Sequence, residues 1–177
     1  MLNKNRILAI AAATLLSTSA QAADHYYGAS FASLDYSEDG MPQELSFQTL
    51  SARLGTNINE NFSAEFRAGF GIGDDQISVE SITVDAELNK VYGLYVRGGF
   101  QATEALFPYA IIGYTRGTLK ASAMGYSDSE SENDTSFGVG VDFEVKENIK
   151  LNAEYLNMFD KDGADVDGFS VGFTVNF

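Results

Sequence analysis

The stretch Phe169-Ser170-Val171-Gly172-Phe173-Thr174-Val175-Asn176-Phe177 decides the fold. Its odd positions are aromatic or β-branched, and its even positions are polar or tiny. A period of two is the repeat of a β-strand, whose successive side chains point to opposite faces. Residues 137–145 repeat the pattern: Phe137, Val139, Val141, Phe143 and Val145 alternate with Gly138, Gly140, Asp142 and Glu144.

Working outward, six further segments carry an apolar set in alternation. They are Tyr27, Ala29 and Phe31; Leu50, Ala52 and Leu54; Phe62, Ala64, Phe66, Ala68 and Phe70; Val84, Ala86, Leu88, Tyr92, Leu94 and Val96; Ala110, Ile112 and Tyr114; and Ile149, Leu151, Ala153 and Tyr155. Helical periodicity is scarce. With the two leading stretches this makes eight strands, the even number expected of a single-chain bacterial barrel. The connections alternate in length. Residues 57–61, 101–106 and 146–148 are short, whereas 36–44, 71–80, 117–136 and 158–168 are longer and hydrophilic. Short turns on one rim and long loops on the other suit an all-β, eight-stranded antiparallel up-and-down transmembrane β-barrel.

The N-terminus is of another kind. Lys4 and Arg6 precede an apolar run over residues 7–16, and Ala20-Gln21-Ala22 fits a small-residue cleavage site. That order is a secretory signal. The run of about ten residues is too short for a spanning helix, which needs roughly 20. Residues 1–22 are therefore expected to be removed after export, leaving residues 23–177 as one barrel domain. Without Lys4 and Arg6, nine basic residues face 25 acids. A chain this acidic repels phosphate backbones, so nucleic acid is excluded as a partner. The chain has no cysteine, so an exported domain must hold together without disulfides.

Two orientations of the barrel compete. A soluble barrel places its apolar face inside and its charges outside. Here the non-apolar face holds Gly28, Gly69, Gly93, Gly99, Gly113, Gly138, Gly140 and Gly172, tiny residues that suit a narrow lumen better than a solvated strand. The same face carries Arg53, Glu65, Arg67, Arg97, Asp142 and Glu154, mixed in sign and able to pair if enclosed. The apolar face carries Tyr27, Phe62, Phe70, Tyr109, Tyr155 and Phe177, read as aromatic girdles at the membrane interfaces. The membrane orientation is favoured, in the outer membrane of a Gram-negative cell and in contact with its lipid and lipopolysaccharide.

At this point the chain resembles the small OmpA/OmpX-type porin-like family of outer-membrane barrels. Tyr26-Tyr27-Gly28-Ala29-Ser30 is similar to that family's opening strand. Residues 54–70, with Asn61-Phe62-Ser63-Ala64-Glu65, resemble its second hairpin, and Pro108-Tyr109-Ala110-Ile111-Ile112-Gly113-Tyr114 its fifth strand. The end resembles the terminal signal read by the barrel-assembly machinery, carried by Phe173, Val175 and Phe177. The resemblance implies inward roles for Glu65, Arg97 and Asp142. It also places Asn152 where relatives often carry an inward base, which leaves the charge network incomplete or rearranged. With the chain ending at Phe177, no peptidoglycan-binding domain is expected after the barrel.

The chemistry offered is sparse. His25 is the single histidine, beside the expected mature terminus and without a recognisable nucleophile or acid partner, so no catalytic site is expected and an enzyme is disfavoured. No cofactor is implied, and with no cysteine a zinc or copper site is poorly supported. Asp160-Lys161-Asp162-Gly163-Ala164-Asp165 resembles the start of a calcium loop, yet its glycine is misplaced and no glutamate closes it. Asp160, Asp162 and Asp165 are thus a weak calcium candidate, more simply a hairpin tip. The longer connections and their flanks hold fifteen acids against Lys120 and Lys161, a rim that should gather divalent cations and repel anions. Two readings of the inward charges remain, a packed polar plug or a narrow ion pathway. The function expected is a structural envelope barrel with at most limited small-solute passage; surface binding or adhesion through the acidic loops is the alternative.

Overall fold

In the computed structural model the described residues are 24–38, 45–72, 75–79, 82–123, 126–161 and 163–177. The expected signal peptide lies outside them. Among the described residues nine strands form one antiparallel sheet: β1 (His25–Glu38), β2 (Leu45–Asn57), β3 (Phe62–Gly71), β4 (Asp75–Val79), β5 (Ile82–Gly99), β6 (Leu106–Ala123), β7 (Tyr126–Lys146), β8 (Ile149–Lys161) and β9 (Ala164–Asn176). Apart from β3 and β4, strands adjacent in the chain pair with one another, β1 pairs with β9, and β3 pairs with β5, so the sheet closes on itself. β4 lies beyond the upper end of β3 and pairs only with β5, from Asp75 opposite Ala86 to Val79 opposite Ile82. The closed barrel therefore has eight strands, as the alternation predicts.

The period-two residues face outward. Tyr27, Phe62, Phe70, Tyr155 and Phe177 are exposed, as are Phe66, Ile112, Phe137, Val139, Phe169 and Val171. A continuous belt of this kind far exceeds the apolar patch a soluble surface carries, and it suits acyl chains. Tyr109 departs from the expected girdle. It shares the inward face with Ile111 and is buried, since its neighbours Ala110 and Ile112 take the outward positions.

Two further expectations are corrected. Residues 117–136 and 158–168 are not long loops. β6 and β7 stay paired from Thr118 opposite Ser131 to Ala123 opposite Tyr126. β8 and β9 pair to Lys161 opposite Ala164, with Gly163 at φ 83° in the turn. Hydrophilic composition reads as loop, yet these stretches keep their hydrogen-bond ladder as paired strands. Leu88 is the other correction: it points inward, not outward with Tyr92. The register of β5 shifts between Leu88 and Lys90, and one extra residue in a strand reverses which face the following side chains take.

The short-turn rim is tied down locally. The Asn59 side chain accepts from the backbone N–H groups of Asn61 and Phe62, both at 2.9 Å, and Asn61 Nδ2 donates to the Gly99 carbonyl at 2.8 Å. The start of β1 and the C-terminal residue meet on the same rim, where the Phe177 N–H donates to the His25 carbonyl at 2.9 Å.

Candidate functional site

Strand alternation carries Arg53 on β2, Glu65 and Arg67 on β3, Arg97 on β5, Asp142 on β7 and Glu154 on β8 into the lumen, where all six are buried. The structure brings them together as one circuit. Arg97 joins Asp142 through Nη2 at 2.5 Å and Glu65 through Nη1 at 2.8 Å. Arg67 donates from Nε to Glu65 at 2.7 Å and grips Glu154 through Nη1 and Nη2 at 2.6 and 2.9 Å. Arg53 reaches the same Glu154 with Nη1 at 3.2 Å and Nη2 at 3.4 Å. Register explains why Glu154 is shared. Arg53 and Arg67 are direct cross-strand partners, and like charges placed opposite one another repel unless an acid lies between them.

Tyrosines complete this layer, and the sequence reading missed their role. Tyr26 donates to Glu65 at 2.8 Å and Tyr109 to Glu154 at 2.6 Å. The Arg97 guanidinium carbon lies 3.7 Å from the Tyr109 ring centroid, and that of Arg67 lies 4.8 Å from the Tyr95 centroid, both within cation–π reach. The Tyr95 hydroxyl bonds Thr115 at 2.6 Å, Thr115 bonds Ser136 at 2.5 Å, and Ser136 donates to the Met158 carbonyl at 3.0 Å. The signal that could have found the tyrosines is their pairing with glycine. Tyr26 lies opposite Gly55, Tyr95 opposite Gly113 and Tyr109 opposite Gly140. In each case a Cβ on the glycine would overlap the ring. Gly55, Gly113 and Gly140 are thus space for aromatic side chains in a lumen too narrow for two bulky residues abreast.

Asn152 is buried and paired in register with Asp142. Among the described residues, neither its Nδ2 nor its Oδ1 has a protein hydrogen-bond partner, nor has Asp142 Oδ1. The three arginines and three acids nevertheless balance, so the circuit closes around Asn152 without a base there.

Above this layer the lumen changes character, against the expectation of a wholly polar interior. Ala32, Leu34, Leu45, Phe47 and Leu88 form a buried apolar cluster, with Tyr36, Leu119, Met158 and Val166 packed against it. The interior is polar toward the short turns and apolar toward the long hairpins.

The remaining candidates sit at the two rims. At the hairpin tip Asp160 lies opposite Asp165, while Asp162 falls outside the described residues. The tip carboxylates bond within the hairpin: Asp165 accepts from Asn157 Nδ2 at 2.7 Å, and Asp167 accepts from the Tyr155 hydroxyl. Partial burial, with Asp167 alongside, holds the Asp165 carboxyl above its ordinary value despite the Asn157 bond. Among the described residues no group of three or more His, Cys, Asp or Glu is disposed to hold a metal ion. His25 opens β1 with its ring centroid 6.0 Å from that of Phe177. Phe173 is exposed on the outer face of β9; Phe177, just past the strand's end, is also exposed and packs against Tyr27 with ring centroids 5.8 Å apart, across the seam where the barrel closes.

No curated protein matches the sequence. Among solved structures, Ail, the attachment invasion locus protein of Yersinia pestis, aligns with a TM-score of 0.67 at 18% identity, over 89% of this chain and 100% of that one. Neisserial surface protein A aligns with a TM-score of 0.67 at 16% identity, over 86% of this chain and 97% of that one. The outer membrane protein OprG of Pseudomonas aeruginosa aligns with a TM-score of 0.63 at 14% identity, over 89% and 97%. At these identities the likeness is one of fold. A family model described as the outer membrane protein beta-barrel domain matches residues 8–177, and the chain belongs to that family of outer-membrane barrels.

Proposed function

We propose that this protein is a structural barrel of the cell envelope whose lumen is closed by its own side chains, with at most limited passage of ions or small solutes. One observation carries the reading: the circuit from Asp142 through Arg97, Glu65, Arg67 and Glu154 to Arg53 bridges strands on different sides of the lumen. A guanidinium held by two acids and lying against a tyrosine face is poorly placed to swing aside for an ion. The reading is non-catalytic, because the sole histidine stands at a rim against an aromatic ring. Planar-bilayer recording of the purified barrel tests it. The expected result is no steady unitary current; steady currents abolished by Arg97→Ala would sink the closed-lumen reading.

Three features support the same reading from outside the lumen. Cleavage after Ala22 would release residues 23–177 to the periplasm, and N-terminal sequencing of the membrane-inserted protein should begin at Ala23. Phe173, Val175 and Phe177 would present the signal taken up by the barrel-assembly machinery. Phe177→Ala should then lower the yield of folded, heat-modifiable protein in the outer membrane while leaving export unchanged. The exposed belt would contact lipid and lipopolysaccharide, and the acidic hairpins would attract divalent cations held there.

Recognition at the cell surface is the second reading, favoured by the paired extensions of β6 and β7, which present a fixed surface rather than a floppy loop. Ail has been solved in complex with the heparin analogue sucrose octasulfate. The hairpin carrying Asp128, Glu130, Glu132 and Asp134 opposes such a polyanion, so any surface partner of this chain would be basic. Cells displaying the barrel should bind immobilised polylysine and not heparin; the reverse preference would remove this reading.

A further inference from the structure

At the long-hairpin mouth lies a cavity of about 360 Å³ whose walls come from seven strands. Leu34, Phe47, Leu88, Val91, Leu119 and Val166 are among the apolar side chains that line it. A smaller void of about 30 Å³ lies beneath, shared by Leu34 and Met158 above and by Arg67 and Glu154 below. The cavity therefore ends on the charged layer and is a pocket with a floor. Apolar pockets with a few convergent polar groups are what barrel mouths use to hold small molecules.

Among the described side chains lining it, the charged ones share one sign. Glu38, Glu130 and Glu132 line the cavity. Register explains their direction: Leu119 lies opposite Glu130, and Gly117 lies opposite Glu132, so both glutamates stand on the lumen side with inward Leu119. Glu38 follows Leu34 and Tyr36 on the inward parity of β1, and its carboxylate accepts from the Tyr36 hydroxyl at 2.6 Å, which fixes it at the rim. The bases of the same wall, Arg116 and Lys120, fall on the alternate parity of β6, which faces away from the lumen.

We propose that this mouth binds small amphipathic cations, with an apolar body against Leu34, Phe47, Leu88 and Val166 and an ammonium or guanidinium head between Glu38 and Glu130. Charge complementarity selects this occupant. An anionic amphiphile such as a fatty acid would set its carboxylate against Glu38 and Glu130, and a neutral one would offer those two carboxylates no opposite charge. The site goes beyond the closed-lumen reading and holds whether or not the barrel conducts, because its walls and rim lie entirely above the charged layer.

Titration calorimetry on the whole barrel in phosphatidylcholine nanodiscs, with empty nanodiscs as reference, tests it with three probes that share one body. These are 4-phenylbutylammonium, 4-phenylbutan-1-ol and 4-phenylbutanoate. Expected is saturable one-site uptake of the ammonium, about fivefold tighter than the alcohol, as partly exposed ion pairs allow, with the carboxylate weakest. Labelled Met158 methyl resonances should shift as the site fills. Glu38→Gln with Glu130→Gln should bring the ammonium down to the affinity of the alcohol, and Val166→Trp should reduce uptake of both by filling the pocket. Should Val166→Trp fail to fold, Ala164→Phe narrows the same pocket nearer the rim. Heat no greater than in empty nanodiscs, equal affinity for ammonium and alcohol, or full uptake by the folded filled-pocket variant would each overturn the proposal.

Discussion

The two halves of the lumen close by different physics. Toward the short turns, six charged side chains and three tyrosines meet in a layer held by directional hydrogen bonds between specific partners. Toward the long hairpins, Leu34, Leu45, Phe47 and Leu88 pack without directional demands and leave a cavity above them. A buried ion pair compares poorly with apolar packing as a source of stability, because desolvation offsets most of its attraction. What the polar layer provides is exactness of register, since a slip by one residue would turn its charges toward lipid. The apolar half tolerates change and can accept a guest. Closure and binding thus occupy separate levels of one narrow barrel.

That contrast can be broken most sharply at Glu154. Glu154→Gln leaves Arg53 and Arg67, direct cross-strand neighbours, without the acid they share. Breaking a buried pair by removing one partner costs about 3–5 kcal/mol, read as the loss of unfolding free energy in urea titrations of the barrel in lipid vesicles. A loss below about 1 kcal/mol, the range of exposed pairs, would mean that water reaches the layer freely. In the apolar half, Leu34→Ala should cost about 2–3 kcal/mol, the low end for a buried leucine, because its site borders a cavity able to relax around the gap. Because Leu34 and Glu154 both line the small void between the layers, the two losses should depart from additivity by about 0.5 kcal/mol or more; strict additivity would show that the layers are independent. Tyr109→Phe should cost about 1.5 kcal/mol, the worth of one hydrogen bond to a charged group, while keeping the ring against Arg97. Combined with Glu154→Gln, its effect should nearly vanish.

The same two halves were unequally legible in the sequence. In the polar half the six buried charges lie on the parity opposite to the apolar set, a parity that strict alternation over residues 137–145 and 169–177 makes readable. The tyrosines escaped, since an aromatic residue fits either a lipid interface or a lumen. Only the glycine opposite each, a cross-strand fact, separates the two roles. The apolar half was hidden for two reasons. Leu88 stands before a bulge that inverts parity, and bulges have no reliable composition signature. The outer strand extensions are rich in Ser, Thr and acids, a composition that favours loops and carries no sign that inward residues at their bases form a core.

The smallest expected effect lies at the outer end of the apolar half, on the rim beyond the cavity. Asp165 is held above its ordinary value of 3.8, first by partial burial and then by Asp167 beside it. A carboxyl whose folded value is raised binds its proton more tightly in the folded barrel than in the unfolded chain. It therefore adds stability at pH below about 4, and that contribution disappears as pH rises through the raised value. Asp167→Asn removes the neighbouring charge and should lower the Asp165 titration midpoint, as followed by its side-chain carboxyl carbon resonance, while partial burial keeps it somewhat above 3.8. The substitution should leave the ion-pair layer and the mouth cavity untouched, because neither is lined by Asp167. An unmoved midpoint would assign the whole shift to burial and detach the tip carboxylates from one another. A midpoint that fell along with the unfolding free energy at neutral pH would instead show that the Tyr155–Asp167 hydrogen bond, and not charge repulsion, governs this rim.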